Sequence, residues 1–401
     1  MNKRQAAMPF IFVTVLIDII GLGIIIPVIP ALIMELSGGT VSEASSVGGL
    51  LLGIYAVMQF FFSPILGGLS DRYGRRPILL ISIFGLGVDY FIVAWAPDLM
   101  WLIVARVIAG ICGASYTTAS AYIADISSPE KRAQNFGMIG AAFGLGFIVG
   151  PVIGGLLGAF GTRVPFIAAG ILTLLNWLYG YFIVPESLPP DRRRPFSWKR
   201  ANPVGTLLQL KKYPVILGLV SSLFLIYLAA HATQSTWAYY TIERYMWSEA
   251  EVGYSLGFIG LMIAIVQGII IRPVVKKIGQ VKAVYVGLFF NALGLSLIAF
   301  ASEGWMLYAI MIPYALGGLA GPSLQSIMTS QVPNYEQGEL QGGLTSLISV
   351  TSIIGPVLMT TIFAYFTAQG TAVYLPGAPF MLGGFLAVMA GLFAWRTLSK
   401  I

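Results

Sequence analysis

The chain has 401 residues, 57% of them hydrophobic and only 10% charged, with a net charge of +7. Soluble domains carry about 25% charged residues, so this much apolar surface excludes a water-soluble protein and points to an integral membrane protein. The single cysteine, Cys112, rules out a disulfide within the chain, and no metal-spaced cysteine/histidine cluster, phosphate-cradling loop or nucleophile elbow is present.

A membrane span needs about 20 apolar residues. The chain offers twelve such runs, at 7–33, 46–66, 77–96, 99–122, 135–160, 164–184, 213–236, 252–272, 281–300, 304–328, 340–367 and 376–396. The start, Lys3-Arg4 before an apolar run, mimics a signal peptide, but the run continues to about Met34 and carries Asp18, so it is expected to be a retained first span. Between the sixth and seventh runs lies one substantial polar stretch, 185–212, with Pro189-Pro190, Arg192, Arg193, Arg194, Lys199, Arg200, Lys211 and Lys212. It reads as a linker with a short surface helix. The expected fold is therefore an all-α membrane protein of two six-helix bundles, 1–184 and 213–401.

Three charges fall inside spans of the first half: Asp18, Asp89 and Arg106. Asp18 and Asp89 lie roughly 17 Å from the inner ends of spans 1 and 3, near the bilayer centre, at about 1.5 Å per residue. Charges in hydrocarbon are costly and usually functional. One reading is a structural ion pair of Asp18 with Arg106. The other is proton handling, because a mid-depth carboxyl changes protonation as water reaches or leaves it.

Between spans 2 and 3, residues 67–78 read Gly-Gly-Leu-Ser-Asp-Arg-Tyr-Gly-Arg-Arg-Pro-Ile and hold Gly67, Asp71, Arg72, Gly74, Arg75 and Arg76. From charge alone this is a solvated basic turn. Gly74 supplies a backbone conformation that side-chained residues resist, and Asp71 and Arg75 are spaced for an ion pair if the turn is helical. Asp125 closes span 4 and should reach the same surface. Span 5 carries Gly146, Gly150, Pro151, Gly154 and Gly155, a density of small residues that lets helices touch while proline bends one of them. In the second half the polar candidates for a cavity are His231, Gln234, Trp237 and Tyr240 in span 7, Asn291 in span 9, and Tyr314 and Gln325 in span 10; in the first half they are Tyr55 and Gln59. His231 equally suits a hydrogen-bonded packing role, and Trp237 and Tyr240 an aromatic belt.

The halves repeat. Val47-Gly48 and Val252-Gly253, Gly74 and Gly279, Gly113 and Gly318, Gly137 and Gly342, and Gly150-Pro151 and Gly355-Pro356 each stand 205 residues apart. Repeated halves predict a cavity near the midplane and rocking motion between them. At the same offset Asp18 meets Leu223, Asp89 meets Gly294, Arg106 meets Met311 and Asp71 meets Lys276. The membrane charges are thus confined to one half, and the second copy of the loop is degraded. With the N-terminus inside, 20 of the 23 lysines and arginines fall on inner segments, which places both termini in the cytoplasm. That bias also accounts for the net charge without a nucleic-acid partner.

The loop pattern resembles that between helices 2 and 3 of the major facilitator superfamily, where it latches the two halves on the cytoplasmic side together with an acid at the place of Asp125. Nearly the whole chain is similar to the tetracycline-efflux-like drug/proton antiporters of that superfamily. The similarity rests on Asp18-Ile-Ile-Gly-Leu-Gly with Pro27, Tyr55-Ala-Val-Met-Gln59, Asp89-Tyr90, Arg106 with Gly110, the span 5 glycines (which look like the antiporter signature), Glu336-Gln-Gly-Glu-Leu-Gln341-Gly and Ser302-Glu-Gly-Trp305. It implies proton-coupled efflux of amphipathic small molecules across the inner membrane, with Asp18, Asp89 and Arg106 in coupling and the proton gradient as energy source. No cofactor, metal, nucleic-acid partner or enzymatic activity is implied, and a monomer in the lipid bilayer is expected. Tetracycline exporters carry a histidine and an aspartate where this chain has Ile263 and Asn291, so the expected substrate is another drug or a metabolite. Import by symport and export of a specific metabolite or lipid are the alternatives on this fold. A membrane enzyme or receptor is the rival from another class.

Overall fold

Inside hydrocarbon every backbone N–H and C=O needs a partner within the protein, so apolar runs of this length become helices. A computed structural model describes residues 3–113, 115–127, 132–196, 205, 216–333 and 336–399, with no strand among them. The linker from 197 onward, apart from 205, lies outside the described residues, with Lys199, Arg200, Lys211, Lys212 and the surface helix expected there; Lys131 and Lys400 lie outside them too.

The first half comprises α1 (Lys3–Ile25), α2 (Ile29–Ser37), α3 (Val41–Tyr73), α4 (Arg75–Ala94), α5 (Leu99–Gly113), α6 (Ser115–Ile126), α7 (Arg132–Gly158) and α8 (Val164–Ile183). A 3₁₀ turn follows at Pro190–Arg192. The second half comprises α9 (Leu217–Tyr245), α10 (Glu249–Ile265), α11 (Ile271–Ile278), α12 (Gln280–Phe300), α13 (Gly304–Ala315), α14 (Ala320–Ser330), α15 (Gln337–Thr367) and α16 (Ala378–Leu398). A π turn at Val266–Ile270 joins α10 to α11, and a 3₁₀ turn at Leu316–Leu319 joins α13 to α14. Among the described residues eleven helices are long and apolar enough to cross a membrane. Counting α1 and α2, which meet at 47°, as one broken span gives twelve, the number of apolar runs in the sequence. Pro27, between them, cannot continue the helical hydrogen bonding.

The helices outrun the hydrophobic stretches that announce them. α3 runs for 33 residues, about 50 Å at 1.5 Å per residue, and begins with a reciprocal cap. Thr40 N–H donates to Glu43 Oε2 at 2.8 Å, and Glu43 N–H donates to Thr40 Oγ1 at 3.3 Å. Large apolar side chains such as Phe160, Phe182, Ile269 and Phe300 point outward with 67–79% of their surface exposed, which suits a surrounding of lipid.

The chain gathers into two compact units. One contains Met1–Gly38, Ile54–Pro203 and Ser248–Gly257; the other contains Gly39–Gly53, Val204–Trp247 and Phe258–Ile401. The first has an apolar core of Ile11, Val15, Ile19, Leu79, Ile83, Tyr122, Ile123 and Ile139. The second is built around Leu219, Leu223, Val284, Leu288, Leu324, Met328, Leu340 and Leu344. Each unit thus takes in a short helix start from the opposite half of the sequence. In the second unit the start of α3 lies on α9 and α15: Gly48 faces Tyr239, Gly49 faces Thr360, and Ser42 Oγ donates to Ala364 O at 2.8 Å. In the first unit the start of α10 lies on α7, with Gly253 against Pro151 and Gly155 against Glu249. Gly48-Gly49 and Val252-Gly253 therefore both mark a helix start packed so closely on its neighbours that side chains leave no room, with Gly49 against the Pro356 carbonyl and Gly253 against that of Pro151.

Candidate transport site

Three elements of the first unit bring the membrane charges together. Asp89 on α4 is 1% exposed, and Arg106 on α5 donates from Nη2 to its Oδ2 at 3.1 Å. The other oxygen, Asp89 Oδ1, is buried without a hydrogen-bond partner among the described residues. The ion pair considered from the sequence, Asp18 with Arg106, is not what forms. Asp18 on α1 is half-buried and accepts from Asn176 Nδ2 of α8 at 3.4 Å. The reason is helix adjacency: α4 and α5 are sequential antiparallel neighbours, so their facing residues meet first, while α1 lies against α7 and α8.

Tyr55 of α3 and Tyr90 of α4 both lie within the electrostatic field of Asp18, Asp89 and Arg106, which makes these five residues one cluster. Tyr55 is seated by two glycines of α5. A Cβ at Gly110 would lie 2.6 Å from its carbonyl oxygen, and one at Gly113 would lie 2.6 Å from its hydroxyl. Gln59, one turn along, donates to the Tyr55 hydroxyl at 3.3 Å and to Gly113 O at 3.2 Å. The span 5 glycines serve the same cluster from behind. On α7, a Cβ at Gly146 would lie 2.5 Å from Ile19, one at Gly150 2.8 Å from the Gly23 backbone, and one at Gly154 would collide with Ile24. Gly155 and Pro151 face the start of α10 instead. One helix thereby touches both the stretch of α1 that follows Asp18 and the helix start donated by the second half.

The loop forms a second constellation. α3 continues helically through Gly67 to Tyr73, so the turn expected over several residues is Gly74 alone, with φ +106°. Asp71 and Arg75 pair across it, Arg75 Nε donates to Asp125 Oδ2 at 3.1 Å, and Arg75 Nη1 donates to Ser70 Oγ at 2.7 Å. The guanidinium is almost fully paired, and Arg75 is 9% exposed. Arg72 is exposed and lies over the Tyr73 ring at 5.0 Å, while Arg76 is half-buried, lies over Tyr181 at 5.7 Å and donates from Nη2 to Tyr181 O at 2.6 Å. A Cβ at Gly68 would lie 2.9 Å from the Phe196 ring, whereas one at Gly67 would meet open space among the described residues.

The residue that sequence reasoning missed here is Glu186, which follows span 6. Its carboxylate accepts the backbone N–H of Arg75 at 2.8 Å, of Arg76 at 3.3 Å and of Leu188 at 3.0 Å. It therefore caps α4 from a distant part of the chain, where a negative charge meets the positive end of the helix. A Cβ at Gly74 would collide with this carboxylate. Ser187 donates to Asp125 at 3.1 Å, Tyr122 to Pro185 O at 2.7 Å, and Arg194 N–H to Asp71 O at 3.0 Å. The start of the linker is thus fastened across the adjoining ends of α3, α4 and α6. Beside it a cleft of about 330 Å³ is lined by Asp71, Arg75, Asp125, Leu188, Arg192 and Arg194. The sequence signal was an acid placed directly after an apolar span, facing a turn rich in arginine.

The second-half candidates do not form one group. His231 is 8% exposed and pressed against Gly355, while Gln234 is exposed. Trp237 is 4% exposed, edge-on to Phe380 and tilted against Tyr240. Tyr240 is buried and donates to Ile298 O at 2.7 Å, which accounts for its hydroxyl inside the unit. Asn291 is half-buried, lies 3.0 Å from a Cβ at Gly317, and its Oδ1 has no partner among the described residues. Tyr314 shares a hydrogen bond with Thr233 at 3.3 Å. Gln325 is half-buried on α14, and Ile263 is 36% exposed on α10.

A model of the Major Facilitator Superfamily matches residues 11–312. The chain belongs to the major facilitator superfamily. Within that superfamily it is similar to the tetracycline resistance proteins. It is 41% identical to the class C protein of Escherichia coli over 90% of this chain and 91% of that one, and 37% identical to the class G protein of Vibrio anguillarum over 87% and 88%. Among solved structures, the human organic anion transporter MFSD10 aligns at TM-score 0.71 and 22% identity, covering 98% of this chain and all of that one. A bacterial homologue of the human lysosomal transporter Spinster aligns at TM-score 0.78 and 14% identity, covering 100% and 98%. These two likenesses establish the facilitator fold of the chain. It is a multi-pass membrane protein of that fold.

Proposed function

We propose that this protein exports amphipathic small molecules, drugs among them, in exchange for protons by alternating access. Asp18 is the group that carries the proton. The single observation behind that assignment is the contrast between the two membrane acids: Asp89 is paired to Arg106, while Asp18 has no guanidinium partner among the described residues and accepts a hydrogen bond from the neutral amide of Asn176. A carboxyl without a guanidinium partner changes charge when its access to water changes. One that is paired and sealed is tied to its guanidinium partner and fixes helix positions instead.

In the proposed cycle, protonation of Asp18 from outside accompanies substrate release, and inward opening frees the proton and admits new substrate. Asp89 and Arg106 orient the cluster, with Tyr55 and Gln59 at its rim. The Asp71–Arg75–Asp125 knot belongs to the cytoplasmic latch, and Glu186 holds the α3–α4 turn in shape for it. The protein sits in the inner cell membrane with both termini in the cytoplasm, works as a monomer, and performs no covalent chemistry. It draws on the proton gradient without a bound cofactor. The lysine and arginine bias of the sequence supports that orientation. Several relatives are named for tetracycline resistance; Ile263 and Asn291 tilt this chain towards other amphipathic cargo.

The test is export from proteoliposomes under an imposed pH gradient. Asp18→Asn is expected to abolish uphill transport while downhill exchange persists, and unchanged pumping would overturn the assignment. Reversing the gradient separates antiport from symport by the direction of flux. Restored growth of hypersensitive cells across a panel of toxic compounds, tetracycline included, identifies the substrate class.

A further inference from the structure

Thr14 and Asp18 are one turn apart on α1, so they share a face; Thr173 and Asn176 share a face of α8 in the same way. Thr14, Thr173 and Asn176 are each only 1% exposed. Asn176 Nδ2 joins the two faces, donating to Thr14 O at 3.2 Å and to Asp18 Oδ1 at 3.4 Å. Three polar atoms then remain buried without a partner among the described residues: Thr14 Oγ1, Thr173 Oγ1 and Asn176 Oδ1.

Many buried hydroxyls bond back to a carbonyl of the preceding turn, as Thr241 does to Trp237 at 2.9 Å, Thr360 to Pro356 at 2.8 Å and Thr367 to Phe363 at 2.8 Å. Those of Thr118, Tyr239 and Ser323 are instead buried without a partner among the described residues, as are those of Thr14 and Thr173. Orphan polar atoms are rare in native interiors and, where they cluster, ordered water satisfies them.

We propose that Thr14, Thr173 and Asn176 form a water-binding site beside Asp18 through which its proton is exchanged. Two hydroxyl donors, one amide oxygen and the carboxyl give a water the two to four polar partners it requires. Asn176 suits both protonation states. Its Nδ2 donates to the carboxylate, and after an amide flip its Oδ1 accepts from the carboxylic acid. A guanidinium would serve only the charged form. On release the Asp18 O–H bond breaks, a new O–H bond forms at the water oxygen, and Asn176 Nδ2 supports the carboxylate left behind; no electrons are transferred. The other ionisable groups in the field of this cluster are Asp89, Arg106, Tyr55 and Tyr90. Of the helices against α1, α8 brings Tyr179 and Tyr181 at its end, and α6 brings Tyr122 and Asp125. Asn176 is thus a positioning residue, and the proposal rests on Asp18 being the proton carrier.

The experiment is infrared spectroscopy of the full-length protein in liposomes, following the carboxylic C=O band that Asp18→Asn removes. Hydrogen/deuterium exchange of that band is expected to slow by about tenfold in Thr173→Val and in Asn176→Leu, roughly the net worth of one hydrogen bond. Asn176→Gln should recover part of the rate, which a packing role would not predict. Wild-type exchange rates in both Thr173→Val and Asn176→Leu would overturn the water site, as would the lack of any Asp18-dependent band between about pH 4 and 9, a range spanning ordinary and raised carboxyl titration. Proton-driven export that survives Asp18→Asn would overturn the underlying assignment instead, so the two failures are told apart.

Discussion

The α4/α5 crossing and its copy, the α12/α13 crossing, share their helices and their spacing but not their chemistry. In the first, Arg106 reaches Asp89. In the second, the matching residues are Met311 and Gly294, and the side chain of Tyr314 fills the place an acid would need, 2.6 Å from a Cβ at Gly294. The crossing is zipped by a ladder, with Gly287 against Ala320, Asn291 against Gly317 and Gly294 against Tyr314. The two connecting turns repeat the lesson. Gly74 and Gly279 both have positive φ, +106° and +80°, and both separate helices that end and restart at matching residues. Around Gly74 stand Glu186, Arg193 and the Arg75 network; a Cβ at Gly279 would meet open space among the described residues, and Lys276 and Lys277 make no ion pair among them. Backbone geometry has been kept in both halves, while charge has been kept in one. The second half keeps the same backbone plan, and the first holds the charges at membrane depth.

The comparison breaks most visibly if the first crossing is given half of the second's chemistry. Arg106→Met leaves Asp89 buried and unpaired, and should cost about 3–5 kcal/mol of stability. It is read as a lowered melting temperature in detergent and poor membrane yield. Arg106→Met combined with Asp89→Gly removes both charges and should recover part of that loss, but not all of it, because Ala109 stands where the second half has the Tyr314 ring. Gly294→Asp makes the opposite change. It forces a carboxyl into the space of Tyr314 and should cost about 2–3 kcal/mol through overpacking, more if the acid is charged. The turns give a finer contrast. Gly279→Ala should cost about 1–2 kcal/mol, the penalty of a left-handed residue, whereas Gly74→Ala should cost more because Glu186 must also move. Equal melting temperatures for the two would show that Glu186 does not hold the turn. Glu186→Gln is the mildest change, about 1 kcal/mol, since the amide still accepts N–H bonds but loses the charge at the start of α4. Its stability loss should shrink at high salt and should not add to that of Gly74→Ala, whose side chain already displaces the carboxylate.

How far the molecule could be read from its residues differs between these regions. The twelve spans were legible because bilayer thickness sets a length that composition alone must meet. The repeat was legible because glycines and prolines are needed wherever backbones touch or break, whatever the cargo. Asp18, Asp89 and Arg106 stood out because charge in an apolar run is conspicuous. Their partners did not, because pairing depends on which helices are neighbours and how each is rotated. Glu186 looked like an ordinary linker acid until the chain folded back onto the α3–α4 turn. Asn176 was a single amide in an apolar run, a signal available but unread, since its meaning lay in Thr14 and Asp18 more than 150 residues away.

By itself, then, the sequence determined that this chain crosses a membrane twelve times, that its two halves share a plan, and that only one of them carries charge at depth. Those properties are local, set by transfer free energies and by the small residues that close contacts demand. Only the tertiary structure decided that Arg106 is held by Asp89, leaving Asp18 to a neutral amide. Helix adjacency makes that choice, and no single stretch of chain contains it.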